Sequence, residues 1–164
     1  AVEHLINQGR RRIATITGPL KTMVGVDRLD GYKAALRTAG LPIEESLIAK
    51  GEFTEPSGYA AMQGLLSKKP DAVFASSDMM AMGALRALRQ VGARVPDDMA
   101  VVGFDDAQVA AYANPPLTTV RQPVYKLGTT AIDLLLRLVE NEEQGPFRTV
   151  LLTSLVIRAS CGAS

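Results

Sequence analysis

The stretch Asp71-Ala-Val-Phe-Ala-Ser-Ser77, running through Asp78-Met-Met-Ala-Met-Gly-Ala-Leu85 to Val101-Val-Gly-Phe-Asp-Asp106, decides the fold. Two apolar runs of strand length flank a segment whose apolar residues recur at helical spacing, and each run ends in small polar and acidic residues. The pattern predicts a strand–helix–strand unit with its polar side chains just past the carboxyl ends of the strands. In open α/β sheets that edge is where ligands sit.

Working outward, the same alternation repeats. Arg12-Ile-Ala-Thr-Ile-Thr-Gly18 is a β-rich run stopped by Gly18-Pro19. Val26, Leu29, Tyr32 or Lys33, Leu36 and Ala39 then follow helical spacing up to Gly40, where a left-handed residue suits a helix end. Ser46 to Phe53 reads as a second strand, and Thr54 as the cap of a helix carrying Tyr59, Met62, Leu65 and Leu66. Asp78 is placed to cap the third helix, whose stripe is Met80, Ala84, Leu85, Leu88 and Val91. A fourth strand over 100–104 leads to a short Ala-rich helix over 107–113 and to a fifth strand, Leu117-Thr-Thr-Val120. A long helix over 125–140 follows, with Leu127, Ala131, Leu134, Leu135 and Leu138 on its apolar stripe, then Gly145-Pro146 and a closing strand region over 149–158. Strands alternating with helices, without hairpin signals, predict an α/β fold: a doubly wound parallel sheet in a three-layer αβα lobe.

Composition narrows the function. The 164 residues suit one domain, and 47% hydrophobic content supports a real core. A net charge of +1 gives no electrostatic case for nucleic acid or an anionic membrane, and no apolar run approaches the roughly 20 residues of a membrane span. Arg10-Arg11-Arg12 reads as a solvated turn rather than a phosphate contact. Cys161 is the single cysteine, which excludes an internal disulfide and points to a cytoplasmic protein. The start, Ala1 to Gly9, has neither a Met nor a signal-peptide pattern and reads as a helix ending at Gly9, so the chain is expected to be a piece of a longer protein. With His4 and Cys161 alone of their kinds, no metal site and no cofactor is expected. No G-x-S-x-G elbow, G-x-G-x-x-G turn or P-loop occurs, so neither a hydrolase nor a nucleotide enzyme can be assembled.

What remains is a set of side chains converging on one edge without a catalytic constellation. Past the first strand comes a loop reaching Arg28; past the second, Phe53; past the third, Ser76-Ser77-Asp78; past the fourth, Asp105-Asp106. A guanidinium and a carboxylate can hydrogen-bond neighbouring hydroxyls of a polyol, and an aromatic face can stack on a ring. Each residue also has a plainer reading. Phe53 fills core as readily as it stacks, Arg28 can pair with Asp30 or Glu55, and one of Asp105 and Asp106 is expected to cap the short helix.

Taken in series, Arg28-Leu-Asp-Gly-Tyr32, the run from Pro70 to Leu85, Arg94-Val-Pro-Asp-Asp98, Val101-Val-Gly-Phe-Asp-Asp106 and Pro115-Pro-Leu-Thr-Thr-Val-Arg-Gln-Pro123 resemble the lactose-repressor (LacI/GalR) family of transcription regulators. The resemblance implies a periplasmic-binding-protein-like effector domain of two lobes. Residues 1–164 would be mainly its C-terminal lobe, the 121–145 segment would belong to the first lobe, and a helix-turn-helix would lie outside the chain. It implies a small-molecule effector, a carbohydrate or nucleoside-like compound, contacted by Arg28, Phe53, Asp105 and Gln122. Ser77 stands where the family usually has Asn, so specificity is expected to differ there. It also implies a homodimer, operator DNA bound only through the separate DNA-binding domain, no membrane and no catalysis. A solute-binding protein of a sugar transporter shares the fold and is the alternative. In the family the 125–140 helix packs on the first lobe; without that partner its stripe is expected to dock on its own lobe, pair with another chain or swap.

Overall fold

The computed structural model describes residues 1–139 and 148–163. Five parallel strands form the sheet: β1 (Ile13–Thr17), β2 (Ile48–Lys50), β3 (Ala72–Ala75), β4 (Ala100–Asp105) and β5 (Thr118–Arg121). A short sixth, β6 (Ser154–Val156), joins antiparallel at the edge, giving the order β2-β1-β3-β4-β5-β6. In the described residues two expectations change here. The second strand shrinks from 46–53 to three residues, because a single turn of 3-10 helix takes Glu45–Leu47 and the backbone at Phe53 turns left-handed. The closing strand shrinks to three residues and runs antiparallel, pairing Thr119 with Val156 and Arg121 with Ser154.

Strand alternation divides the core in two. Ala14, Ile16, Val73, Ala75 and Val101 face α3 (Glu55–Leu66) and α4 (Asp78–Gln90). Ile13, Ala72, Phe74, Ala100 and Val102 face α1 (Val2–Asn7) and α2 (Met23–Thr38). Both faces are covered, as a parallel sheet requires. Buried Tyr32 on α2 donates its hydroxyl to the Ile13 carbonyl at 2.8 Å, tying that helix to β1. The three consecutive arginines are spent locally: Arg10 donates to the carbonyls of Asp71 and Pro96, Arg12 to that of Lys68 and to the Glu44 carboxylate.

The long helix forms as α6 (Val124–Val139); its expected end at residue 140 and the Gly145-Pro146 break lie outside the described residues. None of its residues is buried, and Leu127, Ile132, Leu135, Leu136 and Leu138 are exposed. Docking on its own lobe is therefore not the outcome. The physical reason is that both sheet faces already carry helices.

The close approach of α3 and α4 rests on two glycines. A Cβ at Gly83 would stand 2.1 Å from the Glu55 carbonyl oxygen, and one at Gly58 would stand 2.2 Å from that of Met80. Gly83→Ala is expected to cost about 1–3 kcal/mol, the usual penalty of overpacking. Urea unfolding measures it; unaltered stability would contradict this packing.

Candidate functional site

The strand order turns back at β1, between β2 and β3, and ligands in such sheets bind outside the carboxyl ends at that switch point. There the structure places a pocket of about 250 Å³ lined by Val24, Arg28, Phe53, Ser77, Met79 and Asp105. The predicted Arg28, Phe53, Ser77 and Asp105 thus meet on one surface. Gln122 reaches it indirectly, donating its amide to Asp105 at 2.8 Å. A larger concavity, about 530 Å³, opens on the other side of Arg28 between the start of α1, α2 and the sheet. Apolar groups such as Val2, Tyr32, Phe74 and Phe104 line much of it, and of the predicted residues only Arg28 borders it. We place the site in the smaller pocket for that reason.

Arg28 extends from the second turn of α2 and is held on three sides. It donates to the Ser76 carbonyl, sits 3.7 Å over the Phe104 ring and 5.7 Å from that of Phe53, and approaches Asp105 at 3.6 Å. It pairs with neither Asp30 nor Glu55; the latter takes Arg86 at 3.0 Å. Burial lowers the Arg28 pKa and the Asp105 charge opposes this, but an arginine remains charged at neutral pH. Phe104 was missed in the sequence. Strand alternation was the available signal, since Phe104 shares the α2 face of β4 with Val102 and Ala100.

Phe53 serves both readings. Its left-handed φ of 58° turns the ring back onto the loop after β1, where a Cβ at Gly18 would collide with it at 2.1 Å. The ring packs against the core beneath and edges the pocket above.

Two capping expectations are corrected. Ser77, not Asp78, caps α4: its Oγ accepts the Met80 amide at 3.2 Å. A cap residue needs extended backbone, which Ser77 has at φ −158°, ψ 157°, and this makes Asp78 the first helical residue. Neither Asp105 nor Asp106 caps the short α5 (Gln108–Tyr112). Ala107 stands at the cap position, and its amide donates instead to Asp78 Oδ2 at 2.7 Å.

Asp78 is fully buried, and its other oxygen accepts the Thr119 hydroxyl at 2.6 Å. Burial raises its pKa against the pull of those two bonds. Asp105 is half-buried, with a pKa likewise raised by burial and opposed by Arg28, the Gln122 amide and the backbone amide of Asp78. Its oxygens keep lone pairs for a ligand, and Arg28 keeps unused N–H donors. Such an arrangement has the donors and acceptors to hydrogen-bond hydroxyl groups. Among the described residues no group of three or more His, Cys, Asp or Glu is placed to hold a metal ion, and no helix is long and apolar enough to cross a membrane.

Residues 2–161 match the family described as periplasmic binding protein-like domain, and the chain belongs to that family. Its relatives there are LacI-type transcriptional regulators. The regulator CelR of Thermobifida fusca is 49% identical over 162 residues, 98% of this chain and 48% of the relative. The structure of a CelR–cellobiose complex superposes with a TM-score of 0.95, covering 98% of this chain and 50% of that one. A LacI-family regulatory protein from Chloroflexus aggregans follows at 44% identity and TM-score 0.91, covering 97% and 58%. The Lac repressor dimer bound to operator and an anti-inducer is 34% identical with a TM-score of 0.92, covering 99% and 49%. The chain spans about half the length of the curated relatives it matches.

The close fit at β4 yields a direct test. A Cβ at Gly103 would lie 2.2 Å from Asp78 Oδ1, whereas one at Gly64 meets nothing within 4 Å. Gly103→Ala is expected to cost about 1–3 kcal/mol in urea unfolding, while Gly64→Ala, in the last turn of α3, leaves stability unchanged or raises it by up to about 1 kcal/mol. Equal behaviour of the two variants would refute the buried-carboxylate packing.

Proposed function

We propose that this chain is the effector-sensing lobe of a LacI-type regulator, and that its pocket forms one jaw of a carbohydrate-binding cleft. The observation that carries the reading is the meeting of Arg28, Asp105, Phe53 and Ser77 around one pocket, with Gln122 holding Asp105. The carboxylate accepts from a sugar hydroxyl, the guanidinium donates to its neighbour, and the Phe53 ring, with Val24 and Met79, packs on the apolar face of the pyranose. A short Ser in place of a longer amide leaves room at position 77, which suits an oligosaccharide rather than a single compact ring. The likeness to CelR, whose solved complex holds cellobiose, supports the same class of ligand.

The chain binds and does not catalyse. Its ligand shifts the lobe angle of a cytoplasmic homodimer, whose operator contacts come from a DNA-binding domain outside these residues. Segment 121–145 serves the first lobe, the docking partner of α6. The relatives' names favour a regulator over a transport solute-binding protein.

Titration calorimetry of the full-length protein with cellobiose tests the ligand class. Asp105→Asn keeps the shape but loses the charged acceptor, and a hydrogen bond to a charged group contributes about 1.5–3 kcal/mol. Affinity is therefore expected to fall by roughly ten- to a hundredfold. Because burial raises the Asp105 pKa, binding should also weaken on acidification starting above the usual carboxylate range near pH 4. Undetectable cellobiose, cellotriose and xylobiose binding by the wild type would overturn the carbohydrate reading.

A further inference from the structure

We propose that Asp106, gripped by Arg121 and Arg158, is the positioning residue for Asp105 and couples the pocket to β5, from which α6 departs, and to the edge strand β6. The inference deepens the binding role proposed above and rests on that reading for its ligand.

The backbone provides the first reason. Asp105 and Asp106 have φ values of 122° and 56°, two consecutive non-glycine residues on the left-handed side. Each such residue is strained and persists only where its surroundings over-determine it. Asp105 itself cannot supply that constraint, since its side chain is 35% exposed and its ion pair to Arg28 is 3.6 Å long.

Asp106 supplies it. Its side chain is only 10% exposed; Oδ2 accepts Arg121 Nε, and Oδ1 accepts a terminal nitrogen of Arg158 at 2.7 Å. Arg158 is fixed in turn, its other terminal nitrogen donating to the Leu117 carbonyl and its backbone amide to the Thr118 hydroxyl, both at 2.8 Å. The Asp106 amide donates to Thr119 Oγ1 at 3.3 Å, the same hydroxyl that donates to Asp78. Burial alone would raise the Asp106 pKa, but the hydrogen bonds from both arginines outweigh it and hold the carboxyl below the ordinary range.

The topology supplies the consequence. Arg121 ends β5 opposite Asp105 in the register, and the next residue, Gln122, donates to Asp105. Two residues later α6 begins, with none of its residues buried. A force on α6 therefore reaches Arg121 and Gln122 first, and through Asp106 it turns the peptide that aims Asp105. The clasp ties three strands, β4 through Asp106, β5 through Arg121, and β6 through Arg158 just past its end.

Amide exchange on ¹⁵N-labelled protein tests positioning without any ligand. The Asp78 amide acts on the Asp105 carboxylate, lowering its pKa against burial, whereas the Met80 amide is held by Ser77 and serves as control. In Asp106→Asn, Asp78 exchange should rise about tenfold or more while Met80 stays within about twofold. Arg121→Gln, at an exposed side chain, should act in the same direction and less strongly. Cellobiose affinity of the full-length Asp106→Asn protein should fall about tenfold, or 1.4 kcal/mol, with no further loss when the change is added to Asp105→Asn. Unchanged Asp78 protection in both variants overturns the proposal, as does an equal affinity loss in both backgrounds, the signature of general destabilisation. If the wild type binds no sugar while Asp78 protection falls as expected, positioning stands and the carbohydrate reading fails.

Discussion

The buried carboxylate of Asp78 is the constraint on which the rest of the site depends. A charged group without solvent is costly unless its oxygens are matched by donors. Here the Thr119 hydroxyl and the Ala107 amide supply them from two other elements, and the positive end of α4 favours the charge. The pairing fixes β5 and the start of α5 against the first turn of α4. It also demands Gly103, because any side chain there would occupy the space of Asp78 Oδ1. The backbone amide of the same residue also lowers the Asp105 pKa, so one residue anchors the scaffold with its side chain and acts on the pocket carboxylate with its main chain.

The magnitudes show why a single ion pair does not shape the pocket. Partly exposed pairs contribute about 0–1 kcal/mol, and Arg28 and Asp105 stand at 3.6 Å rather than in a bidentate contact. Orientation of the guanidinium comes instead from the Ser76 carbonyl and from the Phe104 ring beneath it. Cation–π contact of a desolvated arginine reaches about 2 kcal/mol. The pair is thereby left loose, and neither group is locked into the other.

Much of this was legible in the sequence, for reasons that can be named. Nearly continuous apolar runs bounded by Gly, Pro and Asp gave β1, β3, β4 and β5 to within a residue or two, because a strand covered on both faces must be apolar throughout. The convergence of Arg28, Phe53, Ser77 and Asp105 was legible through the topology: residues just past strand ends must share an edge. Less legible was everything governed by a donor from another element. Asp78 looks like a helix cap in one dimension, and only Thr119, 41 residues away, makes it a buried bridge. The same holds for Asp106, whose partners lie 15 and 52 residues along the chain. The short antiparallel β6 escaped for a different reason: three pairs on an edge leave no periodic signature.

The exposed face of α6 gives the clasp its meaning. A helix of 16 residues is marginal in water on propensity alone, and most helical stability comes from burying an apolar face. Each Leu side chain fully removed from water would contribute roughly 1.5–3 kcal/mol, so the stripe through Leu127, Leu135 and Leu138 is a strong demand for a surface to cover it. The face of this lobe that could have answered that demand is already filled by α1 and α2. Whatever surface does cover α6 is connected to the pocket by only two residues of chain and the Asp106 clasp. Docking energy of several side chains thus acts through a linkage too short to absorb it, and the nearest soft element is the strained peptide at Asp105. That is the arrangement in which a change of ligand at the pocket and a change of docking at α6 cannot occur independently.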